Sequence, residues 1–183
     1  LLVQRWRRAE ADGEEPTAAE LADLVSQLAV PPYSLDGRIV SKHADCRHLD
    51  FNALAKGHIV DLAAAAAWSQ LQPHSLVVNI GGDLAHRGAG AGRVHIENRQ
   101  RRASATPVGS VTISNCGAAT SGTSWRGFTV AGQRLGHVID PRAGRPTTGV
   151  LSATIVAETT ASADAIATAV TVLGAMDGLA FAR

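Results

Sequence analysis

The chain has almost no excess charge of either sign: 17 Lys and Arg stand against 16 Asp and Glu, a formal net charge of +1. Bulk charge therefore gives no reason to expect a nucleic acid or an anionic membrane as partner, and any anion site has to be local. Cysteine is scarce. Cys46 and Cys116 stand far apart without a CxxC pairing, which speaks against a zinc site or a disulfide framework and leaves ordinary buried thiols as the expectation. Long apolar runs are missing as well. The stretch Ile59 to Trp68 is interrupted by Asp61 and is far shorter than the roughly 20 residues a membrane span needs. There is no internal repeat and no low-complexity tract. The chain opens at Leu1, with neither an initiator Met nor a basic segment followed by an apolar one, and a fragment or processed product is expected.

What is present suits a globular fold. With 183 residues, the chain fits one domain of about 150, or one domain with an appendage. Hydrophobic residues make up 45% and charged residues 18%, enough apolar mass for a core, so global disorder is excluded.

Leu1 to Ala11 sets Arg5, Arg7 and Arg8 between Leu2, Val3 and Trp6, the pattern of an amphipathic helix whose apolar face seeks partners outside this chain. Thr17 and Glu20 have capping-box spacing and predict a helix to about Leu28, ended by Pro31 and Pro32. Ser34 to Lys42 reads as a hairpin around Asp36-Gly37. Leu54 to Leu71 predicts a helix with a small-residue face suited to lying on a sheet. Leu76 to Ile80 reads as a buried strand opening into the Gly81-Gly82-Asp83 turn. Val94 to Glu97, Ser110 to Ser114, Phe128 to Val130, His137 to Ile139 and Val150 to Ala157 add strands, and Ser162 to Leu173 a final helix. Short turns between strands that outnumber helices predict an α+β fold, a sheet packed on one side by helices.

Several clusters are chemically suggestive. Asp164 and Thr168 stand four residues apart on one helical face, two hard oxygens of the kind magnesium takes; taken alone, the pair is better accounted for by helix-dipole complementation by Asp164 behind a Ser162 cap and back-bonding by Thr168. His137, Asp140, Arg142 and Arg145 surround an Asp-Pro-x-x-Gly turn, which is either a titratable site or a hairpin recipe. Lys56 and Gly57 open the long helix, where backbone amides can attract phosphate oxygens. Asn115 to Thr123 reads as a polar turn whose hydroxyls and amides are able to line a pyrophosphate. Gly88 to Gly92 lacks the strand-to-helix setting of a dinucleotide loop and reads as a flexible hairpin loop. His43, Cys46 and His48 match zinc by residue type only, with no second ligand pair at a recognisable spacing.

Taken in order, these segments resemble the ApbE family of FAD:protein FMN transferases. Asp50, Ala55-Lys56-Gly57 and Asp61 are similar to its D-x-G-x-x-A-K-G-x-x-x-D segment. Asn79 to Asp83 is similar to N-I-G-G-D, Thr120-Ser121-Gly122 to A-T-S-G, His137 to Pro146 to H-I-I-D-P-R-T-G-x-P, and Ala163 to Ala169 to A-D-A-L-A-T-A. Phe51, Asn52 and Ala143 depart from the pattern without removing a charged group. The resemblance implies an α+β, T-fold-like architecture with a mixed or antiparallel sheet, over a single domain spanning residues 1–183 from which an N-terminal portion of the family domain is missing. It implies Mg²⁺-dependent transfer of FMN from FAD to a threonine hydroxyl of an acceptor flavoprotein, with AMP released. Ala55, Asp164 and Thr168 would hold the metal, Lys56, Asp61, Thr120, Ser121 and Asp140 would contact the FAD, and His137 would take the threonine proton. A Mg²⁺-dependent FAD pyrophosphatase and a non-catalytic FAD-binding module are the alternatives. Family members are mostly bacterial and exported, often lipid-anchored, so an extracytoplasmic setting is expected.

Overall fold

The computed structural model describes residues 1–43, 50–98, 106–123 and 126–183. Along the chain the elements are α1 (Leu2–Asp12), α2 (Ala18–Leu28), β1 (Tyr33–Asp36), β2 (Ile39–Lys42), α3 (Ala55–Leu71), β3 (Ser75–Ile80), β4 (Asp83–Gly88), β5 (Gly92–Ile96), β6 (Gly109–Ile113), β7 (Gly117–Gly122), β8 (Gly127–Val130), β9 (Gln133–Gly136), β10 (Ile139–Asp140), β11 (Arg145–Pro146), β12 (Ser152–Ala157), α4 (Thr160–Leu173) and α5 (Ala175–Phe181). Every strand pairing among the described residues is antiparallel, which agrees with the α+β reading. The chain divides into two compact units, Leu1–Phe51 with Trp125–Thr148, and Asn52–Ser124 with Gly149–Arg183.

The first unit is built on Trp6. Leu2, Trp6 and Ala9 of α1 are buried with Leu21, Phe128 and Val130, so the apolar face of α1 finds partners within the chain. The Trp6 and Phe128 rings stand 6.3 Å apart, tilted by 32°, and the indole Nε1 donates to the Gly144 carbonyl at 2.8 Å. The α2 capping box forms as expected: the Glu20 amide donates to Thr17 Oγ1 and the Thr17 amide to Glu20 Oε2. β1 pairs with β2 in a hairpin whose two turn residues are Gly37 and Arg38, one position later than the Asp36-Gly37 pair. His137 falls in a bend between β9 and β10, not on a strand, and the residue buried there is Val138. The Asp-Pro-x-x-Gly segment closes β10 onto β11 as a hairpin, with Gly144 at φ +70°.

In the second unit a sheet of order β12-β7-β4-β3 carries α3 and α4, which also pack on each other. Among the described residues β3 pairs only with β4, and it is largely exposed; the expected buried strand is an edge strand, because its apolar run is covered on one side only. The Gly81-Gly82 turn links β3 to β4, with both glycines at positive φ and the Gly82 amide held by Asn79 Oδ1 at 3.1 Å. Gly88 to Gly92 does not close a hairpin: β4 stays in the large sheet while β5 pairs with β6. Of the expected polar turn Asn115 to Thr123, only the start is a turn. Its Asn115 amide side chain brackets the Gly88 backbone, and residues from Gly117 onward form β7 inside the sheet. Small residues there let α4 sit directly on the strand.

Two glycines decide how closely α4 is held. A Cβ on Gly57 of α3 would overlap the Thr160 carbonyl, and one on Gly117 of β7 would overlap the Thr160 amide. The cap of α4 is Thr159, whose Oγ1 accepts from the Ser162 amide at 3.1 Å, so the helix starts ahead of the expected Ser162. α5 escapes the sequence pattern because it is short and carries Gly178 in its interior, a residue required by its contact with Val170. No helix among the described residues is long and apolar enough to cross a membrane. Gly57→Ala should lower stability by about 1–3 kcal/mol, the usual range for overpacking, whereas Gly109→Ala, with open space around its Cβ, should be near neutral. Thermal melts of the two variants test this, and equal Tm values would show that the α3–α4 contact opens at no cost.

Candidate functional site

The candidate site lies in the second unit, where the first turn of α3, the β3–β4 turn and the second turn of α4 converge. Ala55 is the first residue of α3. The next, Lys56, extends past Gly81 and forms an ion pair with Asp83 Oδ1. Asp83 opens β4 and is 1% exposed, and its Oδ2 has no hydrogen-bond partner. Asp164 on α4 is buried too, and its Oδ2 accepts the Gly57 amide at 3.1 Å. The helix-start amide expected to attract a phosphate is thus occupied by a carboxylate of the chain itself, and Gly57 is there for close packing.

Burial pushes the Asp83 carboxyl up to about 6; the Lys56 ammonium pulls the other way, and the neighbouring Asp164 carboxylate adds to the rise. Two buried carboxylates against one ammonium leave a surplus negative charge. Their oxygens are hard donors, the type preferred by Mg²⁺, which takes one or two carboxylates and completes its shell with other oxygens. No group of three or more His, Cys, Asp or Glu among the described residues forms a metal cluster, and of the zinc-type trio Cys46 and His48 lie outside the described residues.

Asp164 is neither exposed nor in the first turn of α4, so the helix-dipole account of it does not hold. That task belongs to Asp61, whose Oδ1 and Oδ2 accept the Thr160 and Ala161 amides, each at 2.9 Å. With both oxygens so engaged, Asp61 anchors the start of α4. Thr168 lies one turn beyond Asp164 and is half-buried. The hydroxyl that back-bonds in this helix is that of Thr171, which donates to the Ala167 carbonyl at 2.8 Å. Thr120 shares a 2.9 Å hydrogen bond with Thr154 across β7 and β12. Because Leu84 stands opposite Ala118, Thr120 and Ser121 run on beyond the start of β4, at the sheet end where the β3–β4 turn lies.

His137 and Asp140 belong to the first unit. His137 is exposed, with Nδ1 at 3.1 Å from the Arg126 carbonyl. A carbonyl only accepts, so Nδ1 donates, and in the neutral ring Nε2 is the proton acceptor. Asp140 accepts the Arg142 amide at 2.8 Å and the Arg142 guanidinium at 2.7 and 2.9 Å; these hydrogen bonds hold its carboxyl below the usual range. Its oxygens serve the turn. Asp83 is the site residue that side-chain reasoning passed over. It was visible only as the last letter of the N-I-G-G-D motif, since nothing local in the sequence reveals its burial.

A family model described as "ApbE family" matches residues 1–183. Among curated proteins, the chain is 29% identical over 170 residues to the FAD:protein FMN transferase of Haemophilus influenzae, covering 88% of this chain and 49% of that protein. It is 34% identical over 184 residues to the one from Rhodobacter capsulatus, covering 96% of this chain and 34% of that one. Solved structures that resemble it include an ApbE protein from Thermotoga maritima, with TM-score 0.74, 26% identity and coverage of 87% of this chain and 52% of that one. The flavin transferase ApbE from Vibrio cholerae aligns with TM-score 0.69 and 26% identity, covering 98% and 58%. The chain spans about half the length of the curated relatives it matches first.

The raised Asp83 carboxyl makes a prediction for the metal-free protein. An acid whose folded pKa lies above its unfolded value holds its proton more tightly when folded, so its stability contribution is lost as pH rises from about 4 to about 6. Asp83→Asn has no such charge to bury. Between pH 5 and pH 7.5 the wild type should lose about 1 kcal/mol relative to the variant, since one pKa unit corresponds to about 1.4 kcal/mol. Urea unfolding at the two pH values measures the difference, and parallel behaviour would show that the carboxylate is charged without penalty.

Proposed function

The chain belongs to the ApbE family, and on that footing we propose that it takes part in Mg²⁺-dependent transfer of FMN from FAD to a threonine hydroxyl of an acceptor flavoprotein. The observation that carries this reading is the pair of buried carboxylates, Asp83 and Asp164, beside Lys56 at the start of α3. In the transfer, the threonine oxygen attacks the phosphorus of the FMN half, a new phosphoester bond forms, and the bond to the bridging oxygen breaks with AMP as leaving group.

The donor set suits the metal: Asp83 Oδ2 is a buried oxygen without a partner, and Asp164 supplies a second carboxylate. Asp164, Thr168 and the Ala55 carbonyl would hold Mg²⁺, which when bound would offset charge on the diphosphate and its leaving oxygen. Lys56 offers an ammonium to a phosphate oxygen. Thr120 and Ser121 offer hydroxyls to the polar parts of FAD. Asp61 keeps α4, and with it Asp164 and Thr168, in place, and Asp140 holds the turn that follows His137. Through Nε2 His137 takes the threonine proton, with Nδ1–H on the Arg126 carbonyl fixing the tautomer.

His137→Ala should lose transfer by roughly 100-fold to 10,000-fold, the usual worth of general-base assistance, while FAD still binds and slow hydrolysis to FMN and AMP persists. Protein-bound flavin fluorescence on a denaturing gel, read beside FAD hydrolysis, measures both. Undiminished transfer would remove the base assignment, and a wild type that only hydrolyses FAD would make the chain a pyrophosphatase. Lys56→Ala should raise KM for FAD more than it lowers kcat, because a phosphate contact present in both ground and transition states is uniform binding. An equal fall in kcat and kcat/KM would place Lys56 on the developing charge. Asp164→Asn retains an acceptor for the Gly57 amide and should abolish Mg²⁺-dependent turnover with little change in Tm; wild-type turnover would sink the metal assignment.

A further inference from the structure

We propose that Asp83 is itself a ligand of the divalent cation and that Lys56 is an internal counter-ion which the cation displaces. This rests on the metal part of the function proposed above but adds a ligand from another element, the β3–β4 turn.

Three observations point this way. Asp83 is 1% exposed and its Oδ2 has no partner; a buried carboxylate oxygen left open calls for an ion or a donor that completes it. Its neighbour Asp164 uses Oδ2 on the Gly57 amide, and the cation paired with Asp83 is Lys56. Asp61, whose carboxylate meets this end of α4, has both oxygens on backbone amides and does not compete for a cation.

The remaining step concerns Lys56. Its side chain is 40% exposed while Asp83 is sealed, so of the two partners the ammonium is the one able to leave. Asp83 itself is held: it begins β4 directly behind a turn fixed by Asn79. A divalent cation sharing Asp83 and Asp164 would supply two positive charges where Lys56 supplies one, and would release the ammonium at the start of α3, where it is free to meet a phosphate oxygen. The ion pair thus keeps the carboxylates compensated until the metal arrives, and links metal binding to the availability of Lys56.

The test is direct binding of Mn²⁺, as a paramagnetic stand-in for Mg²⁺, to the purified chain, with free Mn²⁺ followed by electron paramagnetic resonance. Asp83→Asn should weaken binding by about tenfold or more, because a charged ligand becomes a neutral one. Lys56→Met should tighten binding several-fold, because the competing cation is gone; a pair that only braced the fold would not produce opposite effects from its two halves. Asp83→Asn binding as tightly as the wild type, or Lys56→Met weakening it, would overturn the proposal. Where Asp83→Asn does not fold by circular dichroism, the direction of the Lys56→Met change decides. A wild type that binds no Mn²⁺ would overturn the metal part of the proposed function together with this inference, whereas a binding wild type matched by Asp83→Asn would overturn this inference alone.

Discussion

Everything at the candidate site depends on how the first residue of α4 is seated. Thr160 is fully buried; its amide and that of Ala161 are held by the two oxygens of Asp61, and its hydroxyl donates to the Leu84 carbonyl. A helix start has amides with no partner inside the helix, and a carboxylate accepting two of them forms charge-assisted bonds of about 1.5–3 kcal/mol each. Glycines 57 and 117 then allow α3 and β7 to approach until a side chain of any size would collide. This seat places Asp164, one turn further along α4, against the Gly57 amide.

The same seat makes the site electrostatically costly. Two carboxylates are brought out of water beside a single ammonium, and one oxygen is left without a donor. Burying charge in this way disfavours folding unless the charge is paired and hydrogen-bonded. Residues kept in such a state, with a carboxyl displaced from its ordinary range, mark positions where chemistry outweighs stability. The contrast with Asp61 and Asp140 is instructive. Their oxygens are occupied by donors of the chain, and both serve architecture.

The first unit shows how a family motif can also be a turn recipe. The segment from His137 to Pro146 forms a tight hairpin, with Asp140 binding Arg142 and Gly144 at positive φ. The Gly144 carbonyl receives the Trp6 indole, the centre of that unit's core. The hairpin recipe and the family motif are therefore one set of residues: the turn residues stabilise the hairpin, and His137 at its edge meets the Arg126 carbonyl through Nδ1.

Local rules alone determined much of this protein. Capping at Thr17, the extent of α3, the presence of a hairpin between Tyr33 and Lys42 and the glycine turn before Asp83 follow from interactions between residues a few positions apart, and ordered motifs carried the family resemblance together with Lys56, Asp164 and Thr168. Only tertiary structure decided the rest, because burial and partnership join residues distant in sequence. It made Leu76 to Ile80 an edge strand, turned Thr120 and Ser121 into part of a sheet strand, and gave α1 a partner in Phe128. It also sorted the carboxylates. Asp61, Asp83 and Asp164 are the same side chain in the sequence, yet one caps a helix, one is sealed with an open oxygen and one receives an amide 107 positions away, since a carboxylate's role is set by the donors that folding brings to it.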